Sequence, residues 1–203
     1  MVEKRLKKSK RDLLLDKIID QLMTSGISDL SLRELASQLD TSHRVLLYHF
    51  GSKEELISEV VQEVRHREKS HFTDSVVPNN QASTGQSLTA FYDHNVSDAM
   101  RPYFHLFYEV WGIAQANPAD YEKFLDGIVS VWVDSLSDIL LRAGYGYDDA
   151  RIRATLVLAS MRGLQLDIFT TGEKARADLA FACLVSLIEA EIAHNSARGD
   201  SPA

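Results

Sequence analysis

Ser31-Leu32-Arg33-Glu34-Leu35-Ala36-Ser37-Gln38-Leu39-Asp40-Thr41-Ser42-His43-Arg44-Val45-Leu46-Leu47-Tyr48-His49-Phe50 is the stretch on which the fold turns. Ser31 and Glu34 stand at capping-box spacing, the hydroxyl placed to accept an orphan N–H and the carboxylate to reach back to the cap. Leu32, Leu35, Ala36 and Leu39 then recur as the apolar face of a short helix. Asp40-Thr41-Ser42 interrupts that face with residues that favour turns and caps. A second short helix is expected from about Ser42 to Tyr48, with Val45, Leu46 and His49 inward or at its edge, and Gly51-Ser52 ends it. Two such helices joined by a three- or four-residue turn, with a third in support, make a helix-turn-helix.

The flanks supply the support. Upstream, Ser9 and Asp12 resemble a capping box, and Leu14, Ile18 and Leu22 follow at helical spacing, so a helix is expected over about 10–25, stopped by Gly26. Downstream, Ser52-Lys53-Glu54-Glu55 is another capping box, opening a helix through Leu56, Val60 and Val64 to about Phe72. In a helix-turn-helix the second helix of the pair enters the major groove with its N-terminal residues at base edges. Those residues here are Ser42, His43 and Arg44. Arginine can bond guanine bidentately, and histidine can donate to or accept from a base edge.

The run from Gly26-Ile27 through Leu32-Arg33-Glu34-Leu35-Ala36 to Tyr48-His49-Phe50-Gly51-Ser52-Lys53-Glu54-Glu55-Leu56 resembles the DNA-binding domain of the TetR family. The His-Phe-small-Ser-Lys-Glu-x-Leu run is its most specific part. Met161-Arg162-Gly163-Leu164-Gln165 resembles, more weakly, the penultimate helix of many members. The resemblance implies an all-α chain: a three-helix helix-turn-helix domain over residues 1–52, then a helical bundle over 53–203 for ligand binding and dimerisation. It places Thr41, Ser42, His43 and Arg44 where bases are read, Arg33 where some members add a contact, and His49 and Lys53 where phosphates are held. One position departs. Many members carry a tyrosine directly after the recognition-helix leucine; here that place is Leu47 and the aromatic is Tyr48, so both join the DNA-contact set. Leu47 is open to two readings, contact with a thymine methyl or inward packing.

Charge fits this polarity. The net charge is −7, yet residues 1–11 hold six Lys/Arg against one acid, whereas residues 56–203 hold twelve against twenty. A basic end on an acidic chain suggests a nucleic-acid contact at that end or a solvated tail.

Beyond residue 72 the expectation is a loop over 73–87, then helices over about 88–100, 102–116, 118–143, 148–169 and 174–194, with a frayed tail from Ser196. Phe91, Phe104, Tyr108, Trp111 and Trp132 gather in the middle helices with His94 and His105. Bundle pockets are apolar with a few placed polar groups. By resemblance these residues, with Gln165, are the candidate effector site, and an apolar or aromatic small molecule is the natural ligand; plain core packing is the alternative for each aromatic. Ala154, Leu158, Ala159, Gly163 and Leu166, then Ala180, Cys183, Leu184, Leu187 and Ile188, make the last two helices rich in small and apolar residues. The resemblance implies that these helices pair with a second copy, giving a homodimer on a palindromic double-stranded DNA operator, most commonly as a repressor.

Other classes are disfavoured. No apolar run approaches the roughly 18–20 residues of a membrane span, and no secretory signal is visible, so a cytoplasmic protein is expected. The single cysteine excludes an intrachain disulfide. The histidines complete no metal-ligand spacing, and neither a phosphate loop nor a nucleophile elbow occurs. No enzyme activity, metal or cofactor is expected. The competing possibility is a DNA-binding dimer controlled by a partner protein, or by no small molecule at all.

Overall fold

The computed structural model describes residues 8–27, 30–75 and 82–198. Their regular elements are all α-helical: α1 (Lys10–Ser25), α2 (Leu32–Gln38), α3 (His43–Phe50), α4 (Lys53–Ser75), α5 (Thr84–Asn95), α6 (Arg101–Ala116), α7 (Glu122–Leu125), α8 (Ser130–Arg142), α9 (Tyr147–Thr171) and α10 (Lys174–Arg198). No strand occurs among the described residues, and none of their helices is long and apolar enough to cross a membrane. The expected all-α class, with an N-terminal helix-turn-helix followed by helical bundle, is the observed one. Half of the basic run at the N-terminus, Lys4, Arg5 and Lys7, lies outside the described residues, as does the end of the tail.

The helices pack as two compact units. One comprises the described residues up to Glu68 with Arg101–Asp126; the other comprises Lys69–Met100 with the described residues from Gly127 onward.

In the first unit, α1 starts on the expected capping box: Ser9 Oγ accepts from the Asp12 N–H at 3.1 Å, and the Ser9 N–H donates to the Asp12 carboxylate at 3.0 Å. Leu15, Ile18, Ile19 and Leu22 form its buried stripe. The capping box expected at Ser31 does not form, because the Ser31 side chain makes no cap hydrogen bond. Burial of Leu35 and Ala36 holds this two-turn helix instead, as tertiary packing does for most short helices. The end of α2 is a Schellman motif: the Thr41 N–H reaches back to the Ala36 carbonyl at 2.9 Å while Asp40 takes φ +51°. Aspartate's short polar side chain tolerates that left-handed conformation better than most. Ser42 Oγ then caps α3 by accepting from the Val45 N–H at 3.2 Å.

α3 buries Leu46 and Phe50, an i, i+4 pair. Val45, expected inward or at the edge, stands 37% exposed, since one residue is a rotation of about 100° around the helix from Leu46. α4 opens with Ser52 Oγ accepting from the Glu55 N–H at 3.1 Å, and the Glu55 carboxylate, which interacts with the Ser52 backbone, also bonds Lys123 Nζ at 2.8 Å. Leu56, Ile57, Val60, Val61 and Val64 are buried along it. So is Ser58, whose hydroxyl has no hydrogen-bond partner among the described residues. A buried unsatisfied hydroxyl costs about 1–3 kcal/mol. Ser58→Ala is therefore expected to raise unfolding stability by about 1 kcal/mol in a denaturant titration; a drop in stability would mean the hydroxyl is satisfied in solution.

The long helix expected over 118–143 is broken. The chain turns at Pro118–Tyr121, forms the single turn α7, and leaves helical geometry at Gly127, where φ is +64°, before α8 begins. Glycine adopts that conformation without steric cost, so the helical ladder cannot run through.

In the second unit, α5 begins four residues earlier than expected. Ser83 and Gln86 close a reciprocal capping box, with bonds of 3.1 and 2.9 Å, upstream of Leu88. α5 also ends at Asn95 rather than Met100, and the loop expected over 73–87 is shortened from both sides by α4 and α5; residues 76–81 lie outside the described residues. α9 starts at Tyr147 behind Gly146, not behind Asp148 or Asp149, which occupy its first turn, where acids suit the helix dipole. The core joins Leu88 and Phe91 of α5 to Leu136 and Leu140 of α8, Val157 and Met161 of α9, and Phe181 and Ile188 of α10. Tyr92 stacks on Phe181 at 4.2 Å between ring centroids.

Arg153 ties α9 to α10. Its guanidinium lies 4.5 Å from the Tyr145 ring centroid and hydrogen-bonds both Asp149 and Glu191. The Arg153 hydrogen bond holds the Glu191 carboxyl below its usual 4.5, against the opposing effect of partial burial. Its contribution to stability is therefore fully present above that value and is lost as pH falls through the lower, folded-state pKa. Glu191→Gln is expected to be less stable at neutral pH and to show a flatter acid limb in thermal melts. Parallel curves for variant and wild type would remove Glu191 from the acid response.

Candidate nucleic-acid interface

The outer side of α3 lies opposite Leu46 and Phe50. Arg44, Val45 and Tyr48 occupy it, Leu47 lies at its border, and Tyr48 is 85% exposed. His43 and His49 are half-buried on the flanks, and the Tyr48 ring meets the His49 ring edge-on at 5.1 Å. Ser42 is exposed at the helix start with its hydroxyl engaged in the cap; Thr41 is half-buried in the turn before it. Arg33 is exposed on α2, and Lys53 is half-buried in the first turn of α4. Of the nine residues expected to contact DNA, the seven from Thr41 to His49 thus lie on α3 and its cap, with Arg33 and Lys53 on the adjoining helices.

The cations of this unit divide into two groups. Lys8 pairs with Asp16 at 2.6 Å, Arg67 with Asp16 at 2.5 Å and with Glu63 at 2.8 Å, and Arg11 with Glu59 at 2.6 Å. Arg33, Arg44 and Lys53 enter no ion pair among the described residues. Lys10, Lys17 and Arg65 of the same unit are likewise without one among the described residues.

Arg11 has a role that sequence reasoning missed. Its Nη2 bonds Glu59 of α4, its Nε donates to the His49 carbonyl at 3.3 Å, and its guanidinium lies 4.9 Å from the Phe50 ring centroid. One side chain thus clamps α1, the C-terminal end of α3, and α4. The only sequence cue was its place in the basic run, which suggested a solvent-facing charge. Beside this clamp His49 borders a cleft of about 540 Å³ that also touches Glu55, Gln62 and Lys123.

The eight candidate effector residues fall into two sets. In the first unit, on α6, Phe104 is buried, Tyr108 and Trp111 are half-buried with rings stacked at 6.1 Å and 11°, and His105 is exposed. In the second unit Phe91 and Trp132 are buried at 5.8 Å between centroids, and His94 is half-buried. Gln165 is fully buried and donates to the Asn95 carbonyl at 2.5 Å. α6 also reaches the reading head: Glu109 accepts the Ile27 N–H at 3.0 Å, just past the end of α1.

The small and apolar residues of the last two helices also sort by exposure. Ala154, Leu158 and Ile188 belong to the chain's own core, and Leu184 packs against it. Ala159, Gly163, Leu166, Ala180, Cys183 and Leu187 are exposed. With Ile152, Leu156 and Leu179 they form outward stripes at helical spacing on α9 and α10. Among the described residues no group of His, Cys, Asp and Glu could hold a metal ion.

Residues 14–60 match the family model for bacterial regulatory proteins of the tetR family. A search of the curated proteins found no match. Among solved structures, a transcriptional regulator from Rhodococcus sp. Rha1 shares 19% identity with a TM-score of 0.72, over 89% of this chain and 96% of its own. A TetR-family transcriptional regulator from Cytophaga hutchinsonii shares 21% with a TM-score of 0.71, over 91% and 97%. The multidrug binding protein EbrR, in complex with imidazole, shares 18% with a TM-score of 0.61, over 88% and 96%. The chain has the same fold as these proteins over about nine-tenths of its length, and its matched segment is the helix-turn-helix described above. Residues 14–60 thus carry the helix-turn-helix of the tetR family of bacterial regulatory proteins, and the chain shares the fold of the solved regulators over most of its length.

Proposed function

We propose that the chain is a cytoplasmic homodimeric repressor that reads a palindromic operator with α3 and is released from it by a small apolar or aromatic molecule. The observation that carries this reading is the outer side of α3, where an unpaired arginine and a tyrosine 85% exposed stand on a helix anchored by two buried residues. A protein with no use for that face would not leave Tyr48 in water. Arg44 and His43 face base edges, while Arg33, His49 and Lys53 face phosphates; Lys53 sits in a first helical turn, whose free N–H groups also favour anions.

Residues 1–52 supply the reading part, and residues 53–203 the ligand-binding and dimerising part. The first compact unit carries both α1–α3 and the aromatic side chains of α6. An effector engaging Tyr108 and Trp111 would shift α6, and Glu109 would carry that shift to Ile27. A ligand acts this way only by favouring the DNA-incompetent state, typically by about 1–3 kcal/mol. The proposed effector residues are Phe91, His94, Phe104, His105, Tyr108, Trp111, Trp132 and Gln165. EbrR, described as a multidrug binding protein, lends the small-molecule reading support through its shared fold alone.

The outward stripes of α9 and α10 are the proposed dimer surface. They concentrate large apolar side chains in solvent, including Leu179 at 74% exposure and Leu187 at 65%. Burying such patches is a normal reason for their existence.

Selection of bound duplexes from a random pool tests the reading, with apolar compounds then added to the selected complex. Enrichment of a palindromic site and its release by some of those compounds are expected. A non-palindromic site would remove the dimeric reader, and release by none of a broad aromatic panel would favour control by a partner protein.

A further inference from the structure

We infer that α3 reads its operator mainly through thymine 5-methyl groups, using Val45, Leu47 and Tyr48, with Arg44 as its single strong polar reader. This rests on the DNA-reading role proposed above and names the base chemistry of that site.

In the first compact unit the exposed large hydrophobic side chains are Leu13, Val45, Leu47 and Tyr48. Three of these four stand on one eight-residue helix, with Tyr48 at 85% exposure the most open, a concentration that an apolar counterpart would bury. Protein packing does not supply it within the unit, because α3 is held through Leu46 and Phe50 on its other side. The polar side of α3 is correspondingly poor. The Ser42 hydroxyl accepts in the helix cap and keeps its own O–H to donate, so Ser42, His43 and Arg44 are the donors near the helix start, and Arg44 alone among them can bond a base edge bidentately.

The major groove offers one apolar group, the methyl at C5 of thymine. Residues 44–48 advance about 6 Å along the helix axis, close to two base-pair steps. Val45 and Tyr48 can therefore face neighbouring pairs while Arg44, one residue from Val45 and four from Tyr48, takes an adjacent guanine. The expected half-site is a guanine flanked by thymines. Two kinds of partner, an acidic protein and DNA, would each satisfy Arg44, but only DNA also offers methyl groups at this spacing beside phosphates for Arg33 and Lys53.

The test uses the full-length chain and a duplex selected from a random pool. Each thymine of the half-site is replaced in turn by uracil, which removes the methyl and keeps every hydrogen-bonding group. Wild type is expected to bind roughly fourfold more weakly for each contacted methyl removed, from the transfer value of one buried carbon. Val45→Ala, Leu47→Ala or Tyr48→Ala should each erase that sensitivity at the thymine it touches. Arg44→Ala should keep the sensitivity and lose guanine preference. These side chains are exposed, so the variants are expected to fold, with far-ultraviolet circular dichroism as the check. Equal binding to thymine and uracil duplexes, with the selected site still preferred over random DNA, would overturn the inference and leave the DNA-reading role standing. A uracil effect unchanged in all three apolar variants would also overturn it, because it would come from duplex shape. Failure to select any duplex would overturn both.

Discussion

Arg44→Ala is expected to weaken binding to the selected duplex by about 1–3 kcal/mol, roughly fivefold to 150-fold, with little change in thermal stability. The direction follows from geometry and charge together. Arg44 lies on the exposed side of α3, is anchored from behind by Leu46 and Phe50, and forms no ion pair within the described chain. Its removal uncovers no buried partner, so the fold has no reason to weaken. The bidentate bonding to guanine would disappear at one base pair, and preference should relax there and not elsewhere. Arg33→Ala serves as the contrast: without its bond to a phosphate, binding weakens evenly across sequences and the salt slope falls by about 0.9. Unchanged affinity for Arg44→Ala in a titration at fixed salt would remove α3's outer side from the interface.

The second large effect is expected from Leu187→Glu. Leu187 is exposed on α10 in line with Leu179 and Cys183, away from the Ala177, Phe181, Val185 and Ile188 stripe that packs within the chain. The substitution therefore leaves the monomer's core intact. In a symmetric dimer it would place two carboxylates against an apolar surface, where a buried, unpaired charge is strongly unfavourable. Sedimentation at micromolar concentration is expected to show monomers for the variant and dimers for wild type. Operator affinity should fall by roughly 10²–10⁴, because the second half-site is no longer reached by a tethered partner. Gly163→Ala offers an independent check on α9. An added Cβ there meets nothing within 4 Å in the chain, so any weakening of dimerisation would come from a clash with a second copy. A Leu187→Glu chain that stays dimeric with full affinity would rule out this face.

The sequence made the reading head legible because its signals are local. The capping residues Ser9, Ser42 and Ser52 and the stop at Gly26 act within a few residues and are found in place, and of the apolar spacing in α1 Ile18 and Leu22 are buried while Leu15 takes the place expected of Leu14. Where local signals failed, a longer-range interaction had taken over. The Glu55 carboxylate is shared with Lys123, sixty-eight positions away. Ser31 carried a capping pattern, but packing of Leu35 and Ala36 was enough to fix α2. Val45 was expected inward or at the helix edge, and it stands at the edge, because Leu46 and Phe50 already make the buried face of α3.

Further along the chain, the apolar pattern of 118–143 did not mark the break at Gly127, because one glycine inside a helical pattern reads as tolerable. Its positive φ became visible only in the backbone. The candidate effector residues were legible as an aromatic cluster, but the cluster divides between the two units, which linear proximity does not reveal. Composition also marked the last two helices as rich in small and apolar residues without separating those facing the core from those facing out. Exposure separates Ala154, Leu158 and Ile188 from Ala159, Gly163 and Leu187.

Hydroxyl-radical footprinting of the full-length chain on its selected duplex tests the central claim, a two-fold dimer reading DNA with α3, most directly. Two protected patches on one face of the duplex are expected, related by a dyad and spaced by about one helical turn or a multiple of it. A single protected half-site, or none with the chain folded and dimeric, would contradict it.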